Sequence, residues 1–445
     1  MSTQLTRRLL VATTAALFLA GAPAPLVHAV QVTESAVPTG TDFEADLRVL
    51  NDHVVTLANP FMEGRFPGTR GMEIAKQYFE FYLGRAGLDP AFENGTSYRQ
   101  SFPLGRPSSD GGEQRVAENV GGLLPGRGRL KDQYIVIGAH LDHLGTGSFG
   151  SRAGSGAVHP GADDNASGSA AVLLLAAKLA HEYASMPEDA DLRSIVFLGF
   201  SAEESGLVGS RFYAEHPVAT IEDHDLMINL DMIGRIKDGR LNLTGANSAE
   251  GLDAWLVPFI DASELTINKT DRFPRGSSDH ASFRSKRVPF LFGSIPAADF
   301  HDDYHAPTDV AWKINRDDMV RTVYLFRAIA LASAQRPERW VFALTDDSPP
   351  PRPRGGARVR IGIQPDYAGE GGILLNGVAE DGPAEKAGLR AGDLIVSWNG
   401  TELGSIEDLM PLLIEAKPGD VVSVGVKRDE GIVILKVTLE AAGGG

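Results

Sequence analysis

Three short apolar runs each lead into a residue able to hold a metal or a proton. Residues 133–139 run into His140, 193–200 are followed by Glu203 and Glu204, and 226–230 end at Asp231. Runs of this length, apolar throughout rather than alternating, read as strands buried on both faces. Helical stretches separate them at 169–183 and, before Pro217, at 209–215. The alternation predicts an α/β fold with a mostly parallel central sheet covered by helices on both faces. Further helices are expected at 42–57, 72–86, 249–257 and 317–334, with Pro258 closing the third, and a further strand at 288–295.

In such a sheet, sites form at the carboxyl ends of strands. His140-Leu141-Asp142-His143 follows the first run, and Tyr304-His305-Ala306-Pro307-Thr308-Asp309 lies past the last expected strand. Between them, Gly161 to Gly168 places Asp163 and Asp164 in a turn of small residues ahead of an apolar helix. Asn165 or Ser167 is placed to cap that helix. Alone, this stretch reads equally as a capped helix with two solvated aspartates. With the other positions it offers imidazoles and carboxylates, the ligand set of catalytic zinc, cobalt or manganese. A carboxylate between two ligand pairs can bridge two ions. The turn-rich segment from Met62 to Thr69 reads as a loop between the first two helices.

The chain has no cysteine, which excludes thiol catalysis, thiolate-bound metal and disulfides. Its net charge of −16 makes nucleic acid an unsuitable partner. Arg7 and Arg8, the apolar segment 9–20 and Val27-His28-Ala29 read as an export signal over residues 1–29. The expected location is therefore periplasmic or secreted, with no stable membrane span. At 445 residues, two or three domains are expected: a large α/β domain at 30–343, a Pro/Arg-rich linker at 344–356 and a small β-rich domain at 357–441.

Five motifs stand in order: His140-x-Asp142, Asp163-Asp164-Asn165-Ala166-Ser167-Gly168, Ala202-Glu203-Glu204-Ser205-Gly206, Asn229-Leu230-Asp231-Met232 and Tyr304-His305-x-x-Thr308-Asp309. Together they resemble the co-catalytic zinc aminopeptidases, including bacterial leucyl aminopeptidase, across residues 42–340. The resemblance implies two zinc ions, with cobalt or manganese as substitutes. It implies that His140 and Asp231 hold one ion, that Glu204 and His305 hold the other, and that Asp164 bridges them. Glu203 is implied as general base, and Asp142 as acceptor of the second ring proton of His140. Asp279 and His280, in Ser277-Ser278-Asp279-His280, match another stretch near the site. Asp163 is expected to shape the turn or support the site from behind the ligands, and His143 to be a solvated loop residue, with a ligand role as the alternative for each. His159, His181, His216, His224 and His301 are expected to be surface or packing residues, and Asp302 and Asp303 solvated loop acids.

The C-terminal unit resembles a PDZ domain of the bacterial protease type. Arg360-Ile361-Gly362-Ile363 matches its carboxylate-binding loop, and Gly382-Pro383-Ala384-Glu385-Lys386-Ala387-Gly388-Leu389 its core signature. Residues 405–416 are expected to form the groove helix, with Leu409, Leu412 and Leu413 as apolar candidates. Such a unit implies a peptide ligand bound by its C-terminus. The expected activity is removal of amino-terminal residues from peptides with free amino termini. The alternatives are a carboxypeptidase or amidohydrolase of the same fold, or a peptide-binding adaptor with an inert peptidase domain.

Overall fold

The computed structural model describes residues 40–104, 115–147, 151–153, 156–270, 278–296, 299–344, 359–366, 372–379, 382–404, 409, 412–413, 416–428 and 431–441. The expected export signal and all but residue 344 of the expected linker lie outside the described residues. Among the described residues, no helix is long and apolar enough to cross a membrane.

The larger part is built on a nine-stranded sheet. Its strands are β1 (Asp89–Pro90), β2 (Arg99–Pro103), β3 (Val116–Leu124), β4 (Tyr134–His140), β5 (Ser194–Phe200), β6 (His224–Leu230), β7 (Arg240–Thr244), β8 (Thr266–Thr270) and β9 (Phe290–Ser294). The order is β1-β3-β5-β4-β6-β9-β7-β8, with β2 beside β3. The middle, β5-β4-β6-β9, is parallel, whereas β3 and β7 join it antiparallel, so the sheet as a whole is mixed.

Among the described residues, seven α-helices accompany it: α1 (Gly40–Leu57), α2 (Arg70–Arg85), α3 (Gly168–Ser185), α4 (Val208–Glu215), α5 (Leu252–Ala262), α6 (His280–Arg284) and α7 (Arg316–Gln335). Alternate strand residues enter different cores, as the two-residue period of a strand requires. Ile135, Ile137, Ile195 and Phe197 pack with side chains of α1, α2, α3, α5 and α7. Val136, Val196 and Leu198 pack with Tyr213 of α4 and Phe283 of α6 on the other face. Both faces are thus covered, and every residue of β5 and β6 is buried.

The expected helices and central strands are present, with one notable shift. The helix expected to stop before Pro258 continues to Ala262, with Pro258 inside it. Pro258 and Ala254 both lie on the exposed face, so water can satisfy the carbonyl that proline leaves without a partner. Strands β2, β3, β7 and β8 were not anticipated. In β3, Gly121-Gly122 looks like a turn, but Gly121 answers a packing need. A Cβ there would lie 2.7 Å from the Leu198 side chain and 2.8 Å from the Phe92 ring. Strand β8 is largely exposed and polar, so it carries no apolar run to read.

His224 begins β6 and is buried. Its Nδ1 donates to the Thr220 carbonyl at 3.0 Å, so its Nε2 accepts from the Tyr213 hydroxyl at 3.0 Å. Burial pulls this imidazole down from 6.5 to about 4. The unfolded chain therefore binds the proton more readily between those values, and stability falls as pH drops through that window. His224→Gln should abolish about 2 kcal/mol of the stability lost between pH 7 and pH 5. Urea melts of both proteins at the two pH values test this; parallel losses would refute it.

The C-terminal part has its own apolar core, including Val359, Ile373, Leu375, Ile395, Trp398 and Val424. Strand β10 (Val359–Arg360) pairs with β17 (Glu440–Ala441). A second sheet runs β11 (Ile363–Asp366), β12 (Ile373–Val378), β13 (Leu394–Trp398), β15 (Val421–Arg428) and β16 (Gly431–Thr438), with β14 (Thr401–Glu402) on β13. Helix α8 (Pro383–Lys386) follows Gly382. In the expected carboxylate loop, Ile361 and Ile363 are buried, and Gly362 has φ +77°. Most of the expected groove helix lies outside the described residues. Of its apolar candidates, Leu409 and Leu413 are buried in the unit's own core and Leu412 packs against it.

Candidate metal centre

Strand β4 has β5 on one side and β6 on the other, so the connections leave it in opposite directions. The crevice at such a switch point lies beyond the strands' carboxyl ends. His140 ends β4, Glu203 and Glu204 follow β5, and Asp231 follows β6. Asp164 approaches from the irregular turn Ala162–Ser167 that opens α3. The loop after β9 supplies His305, at φ +53°. All but Glu203, which is half-buried, are buried or nearly so.

The two oxygens of Asp164 face different imidazoles. Oδ1 lies 3.3 Å from His140 Nε2, and Oδ2 lies 3.1 Å from His305 Nε2. Each imidazole nitrogen also faces a carboxylate of its own: Asp231 at 3.3 Å for His140 and Glu204 at 3.1 Å for His305. One ring N–H shared between two carboxylates serves each of them weakly. Ligand atoms roughly 2.05 Å from a tetrahedral ion stand roughly 3.3 Å apart, so these spacings suit shared cations. Donor atoms of His140, Asp164 and Glu204 all lie within 4.8 Å of one another.

The charge balance points the same way. Burial opposes a charged ring at His140 and His305, yet the facing carboxylates outweigh it and hold both well above the ordinary imidazole range. Burial pushes the carboxyls of Asp142 and Asp279 up, each to about 7. Both oxygens of Asp279, and Oδ2 of Asp142, are buried without a hydrogen-bond donor. A pocket this rich in desolvated carboxylates, with nitrogen and oxygen donors and no thiolate, fits divalent cations such as zinc.

Several neighbours differ from expectation. The second nitrogen of His140 meets Asp142 through its main-chain oxygen, at 3.1 Å, with the carboxylate at 3.9 Å. That carboxylate instead accepts the Glu203 N–H at 3.1 Å, which fixes the start of the Glu203-Glu204 turn. His143 is not solvated: it is fully buried, with Nδ1 2.8 Å from Glu204. Asp163 is buried; one oxygen accepts the Gly234 N–H at 2.7 Å and the other faces His301 Nε2 at 2.9 Å. His301 is thus tied to the site's turn rather than to the surface. His159 and His224 are buried, which matches the packing role open to them. Asp303 is not a free loop acid, for it pairs with Arg235 at 3.0 Å and Lys313 at 2.6 Å. His280 stacks on Phe290 and Phe292, a packing role, while the adjacent Asp279 is buried near His140 and Asp231.

The turn itself is held by Asn165. Its Oδ1 accepts the Gly168 N–H at 2.9 Å, and its Nδ2 donates to the Leu230 carbonyl at 3.0 Å. Ser167, the other capping candidate, instead donates to the Asp163 carbonyl at 2.7 Å. Asn165 therefore caps α3 and anchors the turn to the end of β6 together.

Comparison with known proteins agrees with this architecture. Residues 119–330 match peptidase family M28, and residues 359–439 match the PDZ domain. The chain is 24% identical to aminopeptidase YwaD of Bacillus subtilis over 51% of this chain and 46% of that protein. It is 26% identical to leucine aminopeptidase 2 of Trichophyton equinum over 58% of this chain and 50% of that protein. The chain thus spans about half the length of these curated relatives. The structure of BSAP, a zinc aminopeptidase from Bacillus subtilis, superposes with a TM-score of 0.50 at 16% identity, covering 66% of this chain and 98% of that one. The chain therefore joins a domain of peptidase family M28, the zinc aminopeptidase family, to a C-terminal PDZ domain.

Proposed function

We propose that this chain is an exported dizinc aminopeptidase that removes amino-terminal residues from peptides. The observation that carries the reading is the arrangement at Asp164: two oxygens facing two imidazoles, and a separate second carboxylate facing the same nitrogen of each imidazole. His140 and Asp231 would hold one ion, Glu204 and His305 the other, with Asp164 shared. When bound, paired divalent ions polarise the scissile carbonyl and lower the pKa of water towards neutrality.

The chain's own residues do the rest. Glu203 stands beside Glu204 at the same strand end, partly exposed, and makes no ion pair among the described residues. Burial and its acidic neighbours raise its carboxyl well above the ordinary range, the direction that suits a base returning its proton to a leaving amine. Asp142 holds the Glu203 main chain, and His143 supports the Glu204 carboxylate at the oxygen that His305 does not face. Residues 1–29 are assigned to export, and the PDZ domain to a peptide's C-terminus.

Zinc analysis combined with a substrate panel tests the reading. About two zinc per chain and cleavage of aminoacyl arylamides are expected. Cleavage of amino-blocked peptides alone would favour a carboxypeptidase, and absence of zinc would favour the adaptor.

A further inference from the structure

Arg65 lies in the loop between α1 and α2 and is fully buried. Its guanidinium donates only to main-chain carbonyls: Leu141 at 2.8 Å, Leu57 at 2.7 Å, Pro160 at 2.6 Å and Gly161 at 2.9 Å. Among the described residues no carboxylate pairs with it directly. Leu141 stands between His140 and Asp142, and Pro160-Gly161 leads into Asp163-Asp164. One planar fork therefore joins the His140 loop to the Asp164 turn, a geometry that lysine's single ammonium does not reproduce.

Asp309 grips the same turn from its amide side. Fully buried, it accepts the Asp163 N–H at 2.9 Å and the Asp164 N–H at 3.1 Å through one oxygen. Its own carbonyl accepts the Ala162 N–H at 3.2 Å. Asp309 is also in the loop that carries His305.

We propose that Arg65 and Asp309 are positioning residues that together aim the Asp164 carboxylate, one holding the carbonyls and the other the amides of the chain leading into it. The proposal rests on the two-ion reading above. Neither side chain is a ligand, but between them they connect the segments that carry His140, Asp164 and His305. Buried supports of this kind govern metal affinity through the ligands they orient.

The test compares Arg65→Lys and Asp309→Asn with Arg193→Lys in the full chain. Arg193 is an equally buried arginine that donates to the carbonyls of Ser333 and Glu338, but it precedes β5, at the end of that strand away from Glu203 and Glu204. Each protein is stripped of metal and titrated with zinc against a chromogenic chelator, and with cobalt by visible absorption. Arg65→Lys and Asp309→Asn should weaken the second equivalent of zinc by at least about tenfold and shift the cobalt bands. Arg193→Lys should lower Tm and titrate like the wild type. Wild-type titrations in both site variants, or equal weakening in Arg193→Lys, overturn the proposal. If Arg65→Lys does not fold, Asp309→Asn decides alone, and normal zinc uptake by it is the refuting result. A wild-type chain that takes up no zinc overturns the two-ion reading itself, whereas two tight equivalents with unshifted variants overturn only the positioning role.

Discussion

Glu203→Gln should fold, retain its zinc and lose about a thousandfold in kcat on an aminoacyl arylamide. Glutamine keeps the shape of the side chain but cannot take a proton from water at neutral pH. The exchange spares the backbone contact that places the residue, since Asp142 holds the Glu203 N–H rather than its side chain. It also spares Glu204, whose carboxylate meets His143 and His305 independently. Zinc content and kcat measured on one preparation separate the proton-transfer role from a structural one. Near-normal turnover with two zinc bound would remove Glu203 from the chemistry.

The second large effect separates two neighbouring carboxylates. Asp164→Asn puts an amide NH2 where an oxygen now faces an imidazole, so it should lower zinc content from two to one or fewer and cut activity by at least about a hundredfold. Asp163→Asn should act differently, because the Asp163 oxygens are taken by the Gly234 N–H and His301. It should keep both ions and cost about 1–3 kcal/mol of stability through the disturbed buried hydrogen bonds. Zinc analysis and thermal melts of the pair measure both arms. Equal zinc loss in the two variants would mean the bridge has been assigned to the wrong residue.

The legible part of this fold was its centre. Strands β4, β5, β6 and β9 are buried on both faces, so their apolar runs are long enough to read. The flanks were hidden because β8 is polar and β3 contains Gly121, which the Phe92 and Leu198 side chains require. Candidate ligands could be picked from strand ends because acidic residues and histidines there have little reason to follow an apolar run. Their supports could not. Arg65 sits among turn residues, and nothing in Gly64-Arg65-Phe66 reveals a buried guanidinium reaching carbonyls up to 96 residues away. Asp309 was visible within a motif but looked like any loop acid until its partners proved to be main-chain amides. His143 was misread for a related reason: a histidine three residues past a strand is usually wet, and it is the Glu204 turn together with His159 and His305 that covers it.

The switch point at β4 has a consequence for how the chain matures. His140 and Asp231 are 91 residues apart, and Glu204 and His305 are farther apart still. No short stretch of unfolded chain holds a complete pair, so an ion cannot nucleate folding as it does in a zinc finger. The parallel strands must first be brought into register, a slow step dominated by non-local contacts. Capture of the proposed ions would thus follow folding, and until then the fold would carry its crowded carboxylates unaided.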